Sequence, residues 1–188
     1  MTLVVYLIVF GLGAWNAGNP VRHTRLLEQL GLNWQDVVSG RIYRLVTAIF
    51  VQSAPGLRAT IGLLLIVFPI AEWRLGSWKS TAVLFIGDWT STIVVLVGLR
   101  LGAVSGFHGA LTAAMTRDGG ASSAAHAVAA AAAATVPLQR FRRLLVGAIS
   151  GEIVLSALLG PHLFDVQHAL SAVTGWLLVR SNARKKLP

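Results

Sequence analysis

The 188-residue chain has no cysteine and little charge; Asp, Glu, Lys and Arg together make up 12% of it. Without cysteine there is no disulfide and no thiolate metal site, and the redox compartment leaves no trace in the sequence. The shortage of charge excludes an ordinary soluble surface, because soluble domains carry roughly 25% charged residues. Acidic residues are scarcest, seven against sixteen Lys and Arg, which leaves a net charge of +9. Such an excess could suit nucleic acid, but no nucleic-acid-binding module is recognisable. Basic residues beside apolar runs instead set orientation in a bilayer, and nucleic acid is set aside as a partner.

What is abundant is apolar, with 55% of residues hydrophobic. A helix needs about 20 mostly apolar residues to cross the hydrocarbon core. Six stretches approach that length: 2–19, 57–76, 80–102, 119–137, 144–160 and 163–179. The first lacks the basic start of a signal peptide and reads as retained. The expected fold class is therefore an all-α polytopic membrane protein, a six-transmembrane-helix bundle forming one domain over 1–188. The connector 20–56 holds Leu26, Leu27, Leu30, Val37, Val38, Ile42, Leu45 and Val46. That spacing predicts short amphipathic helices lying at the interface, with Trp34 and Tyr43 at headgroup level.

Six spans with a cytoplasmic N-terminus put nine Lys and Arg inside and seven outside. The "RFRR" run at 140–143 and the "RKK" run at 184–186 are the clearest anchors. The expectation is an integral protein of the plasma membrane with both ends inside and the lipid bilayer as a partner.

The stretch "RDGGASSAAHAVAAAAAATV", 117–136, is almost all small residues, which let helix backbones approach closely in lipid. Ser122 opens the fourth span and His168 lies early in the sixth, and both spans enter from the same side. An imidazole can take the proton of a serine during nucleophilic attack. The plainer reading is a helix N-cap serine and a histidine satisfied inside the bundle; spacing alone favours it. Asp88 and Glu152 fall within apolar stretches, where a proton relay competes with interhelical bonding. No internal repeat or paired broken helix supports a transporter, so a structural role, protonated or bonded between helices, is favoured. His108, His126, His162 and His168 lack the close spacing of metal ligands, and neither a metal nor a cofactor is expected.

Four motifs in order carry a resemblance. "GRIYRLVTAIFVQS" is similar to G-x-x-W/Y-R-L-x-T-x-x-F-x-H through Tyr43, Arg44, Thr47 and Phe50. "AEWRLGS" resembles E-x-x-x-G-S through Glu72, Gly76 and Ser77. "GGASSAAHAV" resembles G-x-S-G through Gly120 and Ser122, with Ser123 in place of the second glycine. "QHALSAVTG" resembles H-x-x-G-x-x-x-G through His168 and Gly175, with Ser171 in place of the nearer glycine. In this order the motifs resemble the rhomboid family of intramembrane serine proteases, and the expected bundle is rhomboid-like.

The resemblance implies Ser122 as nucleophile and His168 as base, a dyad without an acid. It implies Arg44, Glu72, Gly76 and Gly175 as structural motif residues. His126, four residues after Ser122, stands where the family has an aromatic stacked beneath the base, and a supporting role is favoured over a competing base. Departures from the pattern are specific. Gly56 and Thr60 occupy the positions of the His and Asn that help to hold the oxyanion, and Gln52 stands where the preceding motif ends in His. The Ser122 amide, the loop at Gly120 and the Thr60 hydroxyl remain as donors or support. Two functions follow from the resemblance. One is an intramembrane serine protease cleaving transmembrane helices of membrane-protein substrates. The other is a pseudoprotease that binds client helices without cutting them.

Overall fold

The computed structural model describes residues 2–16, 19–52, 54–159 and 163–184. Ten α-helices account for most of them: α1 (Thr2–Asn16), α2 (Pro20–Leu30), α3 (Trp34–Val38), α4 (Arg44–Thr47), α5 (Ala54–Leu75), α6 (Ser77–Val104), α7 (Ala110–Met115), α8 (Ser122–Thr135), α9 (Gln139–Leu159) and α10 (Leu163–Arg184). A single 3-10 turn, Ala48–Phe50, follows α4. Each of the six apolar stretches coincides with one helix, namely α1, α5, α6, α8, α9 and α10.

Helix α8 is the axis of the molecule, packed against α5, α6, α9 and α10. Ser123 to Ala133 are all buried, eleven of its fourteen residues. The alanine run makes this possible by letting neighbouring backbones close in. A Cβ added at Gly175 of α10 would overlap the Ala127 carbonyl, and one at Gly87 of α6 would overlap the Ala127 Cβ. The core continues through Val5 and Val9 of α1 and Leu64, Val67, Phe68 and Ala71 of α5.

Helix α6 buries a stripe at Ser80, Leu84, Gly87, Asp88, Ser91 and Val95. That is the three-and-four spacing of one helical face. Ile86, Ile93, Val94, Val97 and Leu101 remain exposed. Gly76, with φ +82°, makes the turn between α5 and α6. Its carbonyl accepts from the amide and the hydroxyl of Ser80. The carbonyl of Glu72, one turn earlier, accepts from the Gly76 amide at 2.8 Å.

The all-α expectation agrees with this architecture, but the six-span bundle is corrected. Among the described residues only Ser77–Val104 is long and apolar enough to cross a membrane. The physical reasons differ by helix. Helices α1 and α8 have 15 and 14 residues. At 1.5 Å per residue they reach only about 21–23 Å, against a hydrocarbon core of about 30 Å. Helix α5 carries Arg58, Glu72 and Arg74, α9 begins with Arg140, Arg142 and Arg143, and α10 includes Asp165, His168 and Arg180. The count of basic residues on two sides presupposed six crossings and loses that footing with them.

The connector does form short helices, but they fold onto the loop that precedes α8. Leu32 and Asp118 exchange backbone hydrogen bonds at 2.9 Å in an isolated antiparallel bridge. Asn33 caps α3 by accepting from the Asp36 amide and donates to the Met115 carbonyl at 2.8 Å. Asp36, 1% exposed, accepts from Arg41, Arg44 and Arg117 at 3.2, 3.2 and 3.4 Å. Arg44 is itself buried and also donates to the Gly31 carbonyl. Three guanidinium groups on one carboxylate tie α3, α4 and the loop at Arg117 into one unit, which fixes the approach to Ser122.

Candidate active site

The loop from Arg117 to Ala121 delivers the chain into α8 at a fixed angle. Gly119 presses against the turn after α4; a Cβ there would lie 3.0 Å from the Ala48 carbonyl and 3.1 Å from the Val51 Cβ. Gly120 has φ +145° and donates its amide to the Ala48 carbonyl at 2.9 Å. That backbone conformation favours glycine. The Gln52 side chain covers Gly120, with its amide nitrogen 3.5 Å from where a Cβ would stand. Asp118 accepts from the Gly119 amide at 2.7 Å. Burial pushes the Asp118 carboxyl up to about 6, against the opposing pull of that hydrogen bond.

Ser122 is the first residue of α8 and is not its cap. Ala121 holds the cap position and makes no side-chain cap bond. The Ser122 hydroxyl instead meets His168 Nε2 at 3.0 Å. The two residues are 46 positions apart in sequence. His126, one turn into α8, stacks on His168 with ring centroids 4.2 Å apart and planes 12° from parallel. Its Nδ1 lies 2.7 Å from the Ser122 carbonyl. A carbonyl only accepts, so that bond puts a hydrogen on Nδ1. The ring in contact with Ser122 Oγ is that of His168, and His126 stacks on it.

Two further bonds seat α8 between its neighbours. Ser123 Oγ donates to Asp88 Oδ1 of α6, and Ser171 Oγ of α10 donates to the Ser123 carbonyl. Asp88 is thus bonded between helices. The two serines that replace motif glycines sit here together, at the junction of α6, α8 and α10. The side chain of Glu152 lies outside the described residues, as does His162. Among the described residues no group of three or more His, Asp or Glu is placed to hold a metal ion.

Ser122, His126 and His168 line a cavity of about 770 Å³, which Thr60 of α5 and Gln52 also reach. A cavity of this size accommodates a peptide side chain or a short segment. Its walls include Ile66 and Val67 of α5 and Ile149 of α9. Thr60 and Gln52 are both buried. The Gln52 amide donates to the Ile49 carbonyl at 3.3 Å, and its second N–H remains for another acceptor. The first N–H groups of α8 have no acceptor within the helix and carry its positive dipole end. In the sequence Gln52 is only a departure from the motif. Its place over Gly120 depends on a turn that hydropathy does not reveal. Glu72, Gly76 and Arg44 lie away from this cavity and support the frame, and Gly175 supports the packing of α10 on α8.

A serine hydroxyl on an imidazole at a helix N-terminus, beside a cavity with amide donors, is equipped for acyl transfer. Family models, curated proteins and solved structures were compared with this chain, and none matches it.

Proposed function

We propose that this chain is a rhomboid-like serine peptidase that uses a Ser122–His168 dyad to cut segments of membrane proteins. The observation that carries the reading is the 3.0 Å contact between His168 Nε2 and Ser122 Oγ. In the proposed reaction Ser122 Oγ attacks a peptide carbonyl carbon while His168 Nε2 takes the hydroxyl proton. The carbonyl oxygen becomes an oxyanion at the start of α8, where the Ser122 amide, Gln52 and Thr60 can donate. The carbon–nitrogen bond then breaks, and His168 returns the proton to the leaving amine. Water, activated by the same imidazole, hydrolyses the acyl-enzyme and frees Ser122. His126 holds the base ring in plane by stacking.

A membrane substrate is supported by the apolar character of the surface near the cavity. Ile66 of α5 lines the cavity and is 62% exposed, and Leu65 beside it is 53% exposed. Helix α6 supplies a segment long enough to hold the protein in a bilayer.

Fluorophosphonate labelling of the purified chain tests the dyad. Wild type should label, Ser122→Ala and His168→Ala should not, and His126→Phe should keep much of the signal. Labelling that survives in folded Ser122→Ala overturns the assignment. The replacement of the family's oxyanion His and Asn by Gly56 and Thr60 favours a second reading, helix binding without cleavage. Thr60→Asn separates the two. A slow enzyme should gain about tenfold in cleavage, since one oxyanion donor is worth about 10²–10³. A folded wild type that neither labels nor cuts, together with a Thr60→Asn variant that stays inert, leaves the binding reading.

A further inference from the structure

At the opposite end of α8 from Ser122 lies a second cavity, of about 800 Å³. Four helices build it. Arg74 comes from the end of α5, Thr135 from the end of α8, Arg142 from the first turn of α9, and Trp176 and Arg180 from α10. Three guanidinium groups converge on one space, and no carboxylate among the described residues lines it. Arg140 and Arg143 add exposed positive charge next to Arg142 in the chain.

Like charges gathered without a counter-charge repel each other, and an anion between them relieves the repulsion. The α8 terminus opposes such an anion with about half a negative charge. Arg74 already covers part of that, since it donates to the Thr135 carbonyl at 2.8 Å. Three full positive charges outweigh what remains. Guanidinium forks match the oxygens of a phosphate in a way that a point charge does not. Basic pockets between helices of membrane proteins recognise phospholipid headgroups by this chemistry. We propose that this cavity binds a phosphoryl anion, either the headgroup of an anionic phospholipid or soluble phosphate. The site lies about 20 Å along α8 from Ser122 and does not depend on the peptidase reading.

The test uses the full chain in detergent, with phosphatidylglycerol, phosphatidylcholine and inorganic phosphate as separate probes. Bound lipid is read by native mass spectrometry and stabilisation by thermal unfolding. Phosphatidylglycerol should be retained over phosphatidylcholine, and Arg142→Gln/Arg180→Gln should cut that preference about tenfold or more. Both side chains are at least partly exposed, so the double variant should fold; Arg74 is left intact because it is already bonded to the Thr135 carbonyl. Arg25→Gln/Arg100→Gln changes net charge equally on exposed residues elsewhere and should keep the preference. Excess inorganic phosphate that fails to displace the lipid assigns the site to a headgroup. Phosphate that stabilises wild type, displaces the lipid and loses both effects in the Arg142/Arg180 variant assigns it to the soluble anion. The proposal is overturned if no probe discriminates, or if the control variant loses as much as the cavity variant.

Discussion

Helix α6 has 28 residues and α8 has 14, and hydropathy alone reads both as membrane spans. Their surroundings are opposite. Eleven residues of α8 are buried, whereas nine of α6 are. Most of α8 is alanine facing other helices, and its apolar character serves packing inside protein. Helix α6 turns one stripe with Ser80, Asp88 and Ser91 toward α8 and α10, and turns Ile93, Val94 and Val97 outward. The inward stripe mixes these polar groups with Leu84 and Val95, and the outward face is apolar along the middle of the helix. A run of hydrophobic letters therefore has two causes, burial against protein and exposure to an apolar surrounding. Only the second argues for a membrane.

The largest expected effect tests the outward face of α6. Val94 lies near the helix centre and is 48% exposed. If that face meets lipid, Val94→Lys should cost about 2.5–3.5 kcal/mol of insertion. It would appear as loss of the chain from carbonate-extracted membranes, with Val94→Leu as the neutral control. Full retention of the lysine variant would mean that α6 faces water, and the contrast with α8 would lose its membrane half.

A second substitution probes the packing half. Ala127 faces the Gly87 and Gly175 backbones, so Ala127→Leu has nowhere to place its side chain. Overpacking of this kind costs about 1–3 kcal/mol or more. Val97→Leu, on the exposed side of α6, should stay within about 0.5 kcal/mol. Thermal unfolding of the two variants side by side reads the difference, and equal shifts would show that α8 is not the tighter seat.

Particular residues show what could be read from sequence and what could not. The positions of the long helices were legible to within a few residues, because apolar composition persists whether a helix is wrapped by protein or by lipid. The number of crossings was not, because composition does not say which wraps it. The same-face relation of Ser122 and His126 follows from a four-residue step on a helix, and the stacking of His126 on His168 was readable only through the family resemblance. Ser122 and His168 are far apart in sequence, so spacing alone favoured an N-cap and a buried histidine; Ala121 occupies the cap instead. The Asp36 cluster left no signal, since Arg117 lies 81 residues away from its partner and charge pairs over that distance have no period. Gln52 over Gly120 is the same kind of contact, created by a turn and a left-handed glycine rather than by any pattern along the chain.

The smallest expected effect concerns how α8 is held at its far end. Arg74 donates to the carbonyl of Thr135, the last residue of α8, at 2.8 Å. The bond places a cation at the negative end of the helix. Arg74 is exposed, so water competes for both partners and screens the charge. Short helices gain little from their own hydrogen bonds and are held mainly by tertiary packing. The eleven buried residues supply that packing for α8. Arg74→Gln should therefore cost only about 0.3–1 kcal/mol, read as a small drop in thermal midpoint. The Ser122 end of α8 should be unaffected, so fluorophosphonate labelling should match wild type if the dyad assignment holds. A loss of several kcal/mol would instead make the arginine, rather than the alanine packing, the principal hold on α8. The burial contrast with α6 would then no longer explain why so short a helix stays in place.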